Sequence, residues 1–195
     1  MKIDDVITNI YNEVKRRCEL PSNVYGIGAW DHHIKVVYEL AKKHADDYGA
    51  SLEIVSIAAL LHDIASVIDV KFTEEHHIIG ASIAEEFLIK VGYPKDKIDL
   101  VKKCILNHRG SKLMEKTSPE EVCIADCDAM AHFYSVPSLL SMVYREKKFG
   151  IDEGSKFVLD KLERSYNKMS DRGKQLVKKQ YDSAKDILEP LDLKL

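Results

Sequence analysis

A chain of 195 residues, 45% of them apolar, can close one substantial core and falls short of a comfortable pair of domains. Lys and Arg number 29 against 32 Asp and Glu, a net charge of −3 that gives no electrostatic case for nucleic acid as the main partner. No window approaches the roughly 20 apolar residues of a membrane span. The opening MKIDDVITNIYNEVKRR is charged every few residues, unlike a signal peptide, so a soluble cytoplasmic protein is expected.

Apolar residues recur at helical spacing almost throughout, and strict alternation is nearly absent, so the expected class is all-α. The first helix is predicted over about 2–19 on Ile3, Val6, Ile7, Ile10 and Val14, stopping before Pro21. After a loop with Gly26 and Gly28, Asp31 reads as the N-cap of a second helix. It runs through Val36, Val37, Leu40 and Ala41 to about Tyr48, where Gly49 ends it. Ser51 is expected to cap a third helix that continues unbroken through LEIVSIAALLHDIA. A turn around Val70 to Thr73 leads into EEHHIIGASIAEEFLIKVG, closed by Gly92 and Pro94.

A fifth helix is expected over about 95–107. The sixth opens clearly, with Ser118 as N-cap, Pro119 in the first helical position and Glu121 three residues after the cap. Pro137 separates it from a seventh over about 138–148, and two Lys- and Glu-rich helices follow at about 154–169 and 171–188. No Pro/Gly/Ser-rich linker and no internal repeat divides residues 1–195, which read as a single helical domain. The apolar stretch FYSVPSLLSMVY exceeds what a small bundle readily buries, and a homodimer would cover it. The four cysteines offer no disulfide framework in a chain of this size and are expected to be reduced and buried.

LLHDIA poses the functional question. Asp63 lies between apolar runs, where an ionised carboxylate is costly unless something neutralises it. His32 and His33 fall in the first turn of the second helix, and His62 and Asp63 near the end of the third. Helices joined by a short turn run antiparallel, so these ends come close together. In the sixth helix IADCDAM adds Asp126 and Asp128 among apolar neighbours. Histidine nitrogen with carboxylate oxygen suits a divalent transition metal, which would balance Asp63.

The order His33, His62-Asp63, Asp128 resembles the H…HD…D signature of the HD domain superfamily, the helical metal-dependent phosphohydrolases. HIKVV, AALLHDIA and DCDAMAHF are similar to the text around its motifs, and HHIIGASIAEEFL to the helix that often follows the HD pair. The match covers about residues 25–135, a core on which the helices of about 138–190 would pack. The resemblance implies a bundle of the HD-domain type and a metal held by His33, His62, Asp63 and Asp128. It also implies cleavage of a phosphomonoester or phosphodiester, often of a nucleotide, by a water that the metal activates. One divalent ion is expected (Mn, Fe, Co, Ni or Zn), the donor set fitting each of them.

His33 fits the motif spacing better than His32, and Asp128 better than Asp126, which is left to hydrogen-bond a ligating histidine or to serve the fold. Family members with extra histidines bind a second metal. His76 or His77, together with His108 in ILNHRGS, occupy roughly those positions, so a second ion stays open. With one metal, His76 and His77 would face the substrate. A metal-bound Asp63 is no free base, and a neighbouring group, His108 or Asp126, would then handle the leaving-group proton. Asp63, His108 and Asp126 are therefore the candidate catalytic residues. Arg109 and Lys112 are candidates for holding a phosphate, Arg109 through its bidentate fork.

The expected partner is a small phosphorylated molecule, nucleotides included. Two other readings remain: a catalytically silent module of the same fold that binds metal and nucleotide for regulation, and a helical protein whose HD pair is an inert polar network. Taken singly, His32, His44 and His132 read as solvated or hydrogen-bonded side chains, and the lysines of the last two helices as exposed faces.

Overall fold

Val6, Ile10, Val14 and Cys18 stack along one face of the first helix, α1 (Ile3–Cys18), and all four are buried. The computed structural model describes residues 3–109 and 115–189, and no strand occurs among them. Beyond α1 the chain turns on Asn23. Its side-chain amide donates to the carbonyls of Cys18 and Gly26 at 3.0 and 2.9 Å, and its oxygen accepts the Tyr25 N–H at 3.1 Å. Trp30 follows, buried edge-on against Tyr11 with ring centroids 4.6 Å apart.

Asp31 is not the cap expected of it. Its N–H already bonds the Ile27 carbonyl at 3.0 Å, so the helix has begun a turn earlier and Asp31 is an exposed interior residue. Residues Trp30–Ile34 wind as a wide π-helical turn, closed by the Lys35 N–H on the Trp30 carbonyl, and continue as α2 (Lys35–Tyr48). Gly49 ends α2 at φ +66°, a left-handed conformation that glycine adopts without strain.

The next helix, α3 (Leu52–Leu61), is shorter than its apolar pattern suggested. Ser51 makes no side-chain cap; its N–H donates instead to Glu120 Oε1 at 3.0 Å. At His62 and Asp63 the helix breaks, with Asp63 at φ −108°, ψ 12°, and resumes as α4 (Ile64–Ile68). Neighbouring side chains on a regular helix do not face each other. The break removes that restriction, and His62 Nε2 lies 3.4 Å from Asp63 Oδ2.

Asp69 accepts the Lys71 N–H and caps a short 3₁₀ turn, Val70–Glu75, which delivers the chain into α5 (His76–Lys90). Gly80 of α5 faces the break, and a Cβ there would rest in ordinary contact 3.6 Å from the His62 carbonyl. Then come α6 (Lys95–Asn107) and α7 (Pro119–Tyr134), the latter capped by Ser118, which accepts the Glu121 N–H at 3.3 Å. The fully buried Glu121 carboxylate is turned to Asn107 Nδ2 at 2.6 Å and the Thr117 hydroxyl at 3.0 Å. Helix α8 (Val136–Ser141) runs into a second π-helical turn, Met142–Glu146, before α9 (Ile151–Lys168) and α10 (Asp171–Leu188).

Helix α7 is the axis of the assembly. It packs against α2, α3, α6, α9 and α10, while α5 lies across α4 and α6. Of FYSVPSLLSMVY, Phe133 and Val143 are buried, Val136, Leu139, Leu140, Met142 and Tyr144 pack partly buried on the core, and Tyr134 is exposed. The chain itself thus covers most of that stretch. All four cysteines are free and buried. Among the described residues no helix is long and apolar enough to cross a membrane.

Candidate metal centre

The π-helical turn supplies His33, the break supplies His62 and Asp63, the start of α5 supplies His76, the end of α6 His108, and the middle of α7 Asp128. Their polar atoms converge in two groups. His33, His62 and Asp128 each offer an atom within 4.8 Å of the others, and so do Asp63, His76 and His108. Asp63 joins the groups. Its Oδ2 lies 3.1 Å from His33 Nε2 and 3.4 Å from His62 Nε2, and its Oδ1 lies 3.3 Å from His76 Nε2 and 3.8 Å from His108 Nε2. Asp128 Oδ1 is 3.4 Å from His33 Nε2.

Three of the four imidazoles are clamped alike. The Nδ1–H of His62, His76 and His108 donates to the carbonyl three residues earlier, of Ala59, Thr73 and Ile105, at 2.8, 2.6 and 2.6 Å. A carbonyl only accepts, so each Nδ1 carries its proton and each ring, when neutral, turns an Nε2 lone pair inward, the arrangement of a metal-ligating histidine. His76 Nε2 and His108 Nε2 stand 3.0 Å apart. With both rings neutral, two lone pairs would face each other at that distance, and either a shared proton or a cation beside them relieves it. The donor set therefore fits a divalent metal in each group.

Electrostatics give the same answer. Burial opposes a charged His33, but hydrogen bonds to Asp128 and Asp63 outweigh it and raise its pKa to about 10. His62 is raised against burial by the Asp63 charge. Burial also works against ionised Asp63 and Asp128, yet the charge on His62 and the His33 bond hold Asp63 well below the carboxylate range, and Lys168 and His33 do so for Asp128. His108 is pushed down to about 4 by burial and by the charge on His62, so it is neutral. Protons on His33 and His62 thus balance the two carboxylates when no metal does, and a divalent ion could take their place.

A family model for the HD domain matches residues 30–132. The chain belongs to the HD domain family. HD domains are typically metal-dependent phosphohydrolases, and all six converging residues fall inside the matched segment. Ribonuclease Y of Petrotoga mobilis is 28% identical over 107 residues, taking in 55% of this chain and 19% of that protein, so the chain spans about a fifth of that relative's length. The crystal structure of Bacillus subtilis YpgQ superposes with a TM-score of 0.73 at 22% identity, covering 96% of this chain and 94% of that one. YpgQ in complex with ADP gives a TM-score of 0.63 at 22% identity over 90% of each chain. At such identities the likeness is one of fold.

Around the HD motif lies a cleft of about 550 Å³, into which His33, Asp63 and His76 open beside His32 and His132. The remaining candidates from the sequence sit elsewhere. Asp126 takes the Tyr48 hydroxyl at 2.9 Å, the Ser170 N–H at 3.0 Å and the Ser170 hydroxyl, so its carboxylate ties α2 and the start of α10 to α7. His77 is buried beside His76 and does not line the cleft. Arg109 donates to the Glu74 carbonyl at 2.6 Å and pairs with the Glu74 carboxylate at 3.5 Å. Lys112 lies outside the described residues. His44 bonds Asp47 at 2.7 Å.

Three residues at the HD site were not singled out from the sequence. His132 stacks on His33, with centroids 5.6 Å apart and planes 14° from parallel, and its Nδ1 bonds Ser165 Oγ at 3.0 Å. Lys168 reaches Asp128 Oδ2 at 3.4 Å, and Lys161 lines the cleft. A signal existed: Phe157, Lys161, Ser165 and Lys168 follow helical spacing and form one stripe of α9.

Proposed function

We propose that this HD domain is a phosphohydrolase with a two-metal centre that cleaves a phosphoester of a nucleotide-sized substrate. The observation that carries the reading is Asp63, whose two oxygens each face a different pair of histidines. One cation would be held by His33, His62, Asp128 and Asp63 Oδ2, and the other by Asp63 Oδ1, His76 and His108. Such metals supply Lewis acidity to a phosphoryl oxygen and acidify water enough for attack near neutral pH.

The chain's own residues do the rest. The carbonyls of Ala59, Thr73 and Ile105 hold three imidazoles in register, and Lys168 balances the outer oxygen of Asp128. His108 is 3% exposed and neutral, which suits a ligand better than the proton carrier expected from the sequence. Tyr25, Met142 and Phe157 give the cleft an apolar wall beside its polar floor. Its volume of about 550 Å³ lies within the roughly 300–1,000 Å³ usual for small-molecule sites. ADP bound to YpgQ, a protein of the same fold, supports a nucleotide-type ligand.

The test is elemental analysis of the purified protein together with a panel of nucleotides and phosphoesters, each with Mn, Fe, Co, Ni or Zn. Metal-dependent turnover that disappears in His62→Ala is expected. Tight nucleotide binding with no turnover under any metal would instead identify the silent regulatory module.

A further inference from the structure

Helix α9 lies wholly outside the segment that matches the HD family model, yet it forms one side of the cleft. The polar members of its inward stripe are accounted for with one exception. Ser165 bonds His132 and Lys168 pairs with Asp128. Lys161 lines the cleft half-buried, and its ammonium makes no hydrogen bond or ion pair with any described residue.

A partly desolvated ammonium without a counter-charge is unfavourable, and burial accordingly pushes the Lys161 pKa down while the more distant Asp128 supports its charge. The carboxylates of the metal centre cannot serve it. Asp128 is committed to His33 and Lys168, and Asp63 to four histidines. Once those carboxylates are balanced by metal, the carboxylate left on the cleft wall is that of the exposed Glu146, which makes no ion pair with Lys161. The missing partner is an anion that enters with the ligand.

We propose that Lys161 is a substrate-binding residue that donates to the oxygens of a phosphoryl group in the cleft. The identity of that anion rests on the phosphohydrolase reading; the place and the unpartnered state of Lys161 do not. A lysine suits the task because its ammonium is a compact charge with three donors on a flexible stem, able to follow the group as it reacts.

The experiment uses the metal-loaded full chain as wild type, Lys161→Met, Lys161→Gln and Lys161→Arg, titrated calorimetrically with inorganic phosphate and with ADP. Loss of one hydrogen bond between charged groups should weaken phosphate binding about ten-fold or more in both neutral variants. Metal content should stay unchanged, and Lys161→Arg should recover most of the affinity. The Tm of Lys161→Met should equal or exceed that of wild type, because the desolvated charge is gone; a merely structural lysine predicts a fall. Phosphate affinity unaltered in both neutral variants, or no phosphate binding by wild type, overturns the proposal. Lys161-dependent phosphate binding without turnover on the substrate panel retains it and rejects the hydrolase reading. Turnover with KM unchanged in Lys161→Met does the reverse.

Discussion

Replacing His76 by Ala separates a two-metal centre from a single ion flanked by bystander histidines. The group built on Asp63 Oδ1, His76 and His108 has three protein donors, whereas the other has His33, His62 and Asp128 plus Asp63 Oδ2. Removing His76 leaves the weaker group with two. Loss of an outer hydrogen-bond partner alone costs about 10–100-fold in metal affinity, and a direct ligand is worth at least that, or about 1.4–2.7 kcal/mol. The fold should tolerate the change. The ring's bond to the Thr73 carbonyl is worth about 1 kcal/mol, so with both proteins stripped of metal Tm should fall by only about 2–4 °C. Elemental analysis after gel filtration should therefore give two metal equivalents in wild type and one in His76→Ala, with His108→Ala behaving the same way. Two equivalents in both variants, or a single equivalent in wild type at saturating metal, would refute the argument.

Chelation should destabilise the protein, since the metal binds the folded chain: at free metal 100 times Kd the loss is about 2.7 kcal/mol, a Tm drop of roughly 5–11 °C that re-addition reverses. Asp126→Ala should cost about 3 kcal/mol by freeing Tyr48 and Ser170 while leaving metal content intact; loss of metal at unchanged Tm would contradict its anchoring role. Glu53 is partly buried, which raises its pKa, but bonds from Lys97 at 2.7 Å and Tyr93 at 2.6 Å prevail and hold it below 4.5. A carboxyl whose folded pKa is depressed contributes stability that is complete above its unfolded pKa and fades as pH falls through the folded value. Glu53→Gln should therefore lower Tm at pH 7, and the gap from wild type should close on acidification below pH 4.5; a gap constant across that range would count against the reading.

The helical framework was legible because each apolar stripe had to find a buried face, and the stripe of Val6, Ile10, Val14 and Cys18 did so. The order of His33, His62, Asp63 and Asp128 was legible as well. Local winding was not. Nothing in LEIVSIAALLHDIA marks a break after Leu61, because its residues favour a helix on either side and the partners that meet at the break, His33, His76 and His108, lie far along the chain. Asp126 and Asp128 were hard to tell apart for a related reason. Two residues apart on a helix, they face opposite sides, but α7 is packed on most sides, so apolar neighbours surround both. Lys161 and Lys168 read as solvent-facing because an amphipathic pattern distinguishes polar from apolar faces. It does not distinguish water from a polar cleft.

The clamps on His62, His76 and His108 are all main-chain oxygens. No replacement of the side chains at Ala59, Thr73 or Ile105 can delete the acceptor, so the aim of these three rings is insulated from drift at the positions that set it. Selection needs to guard the imidazoles themselves and the local winding of three short stretches of backbone, and the walls of the cleft are free to diverge.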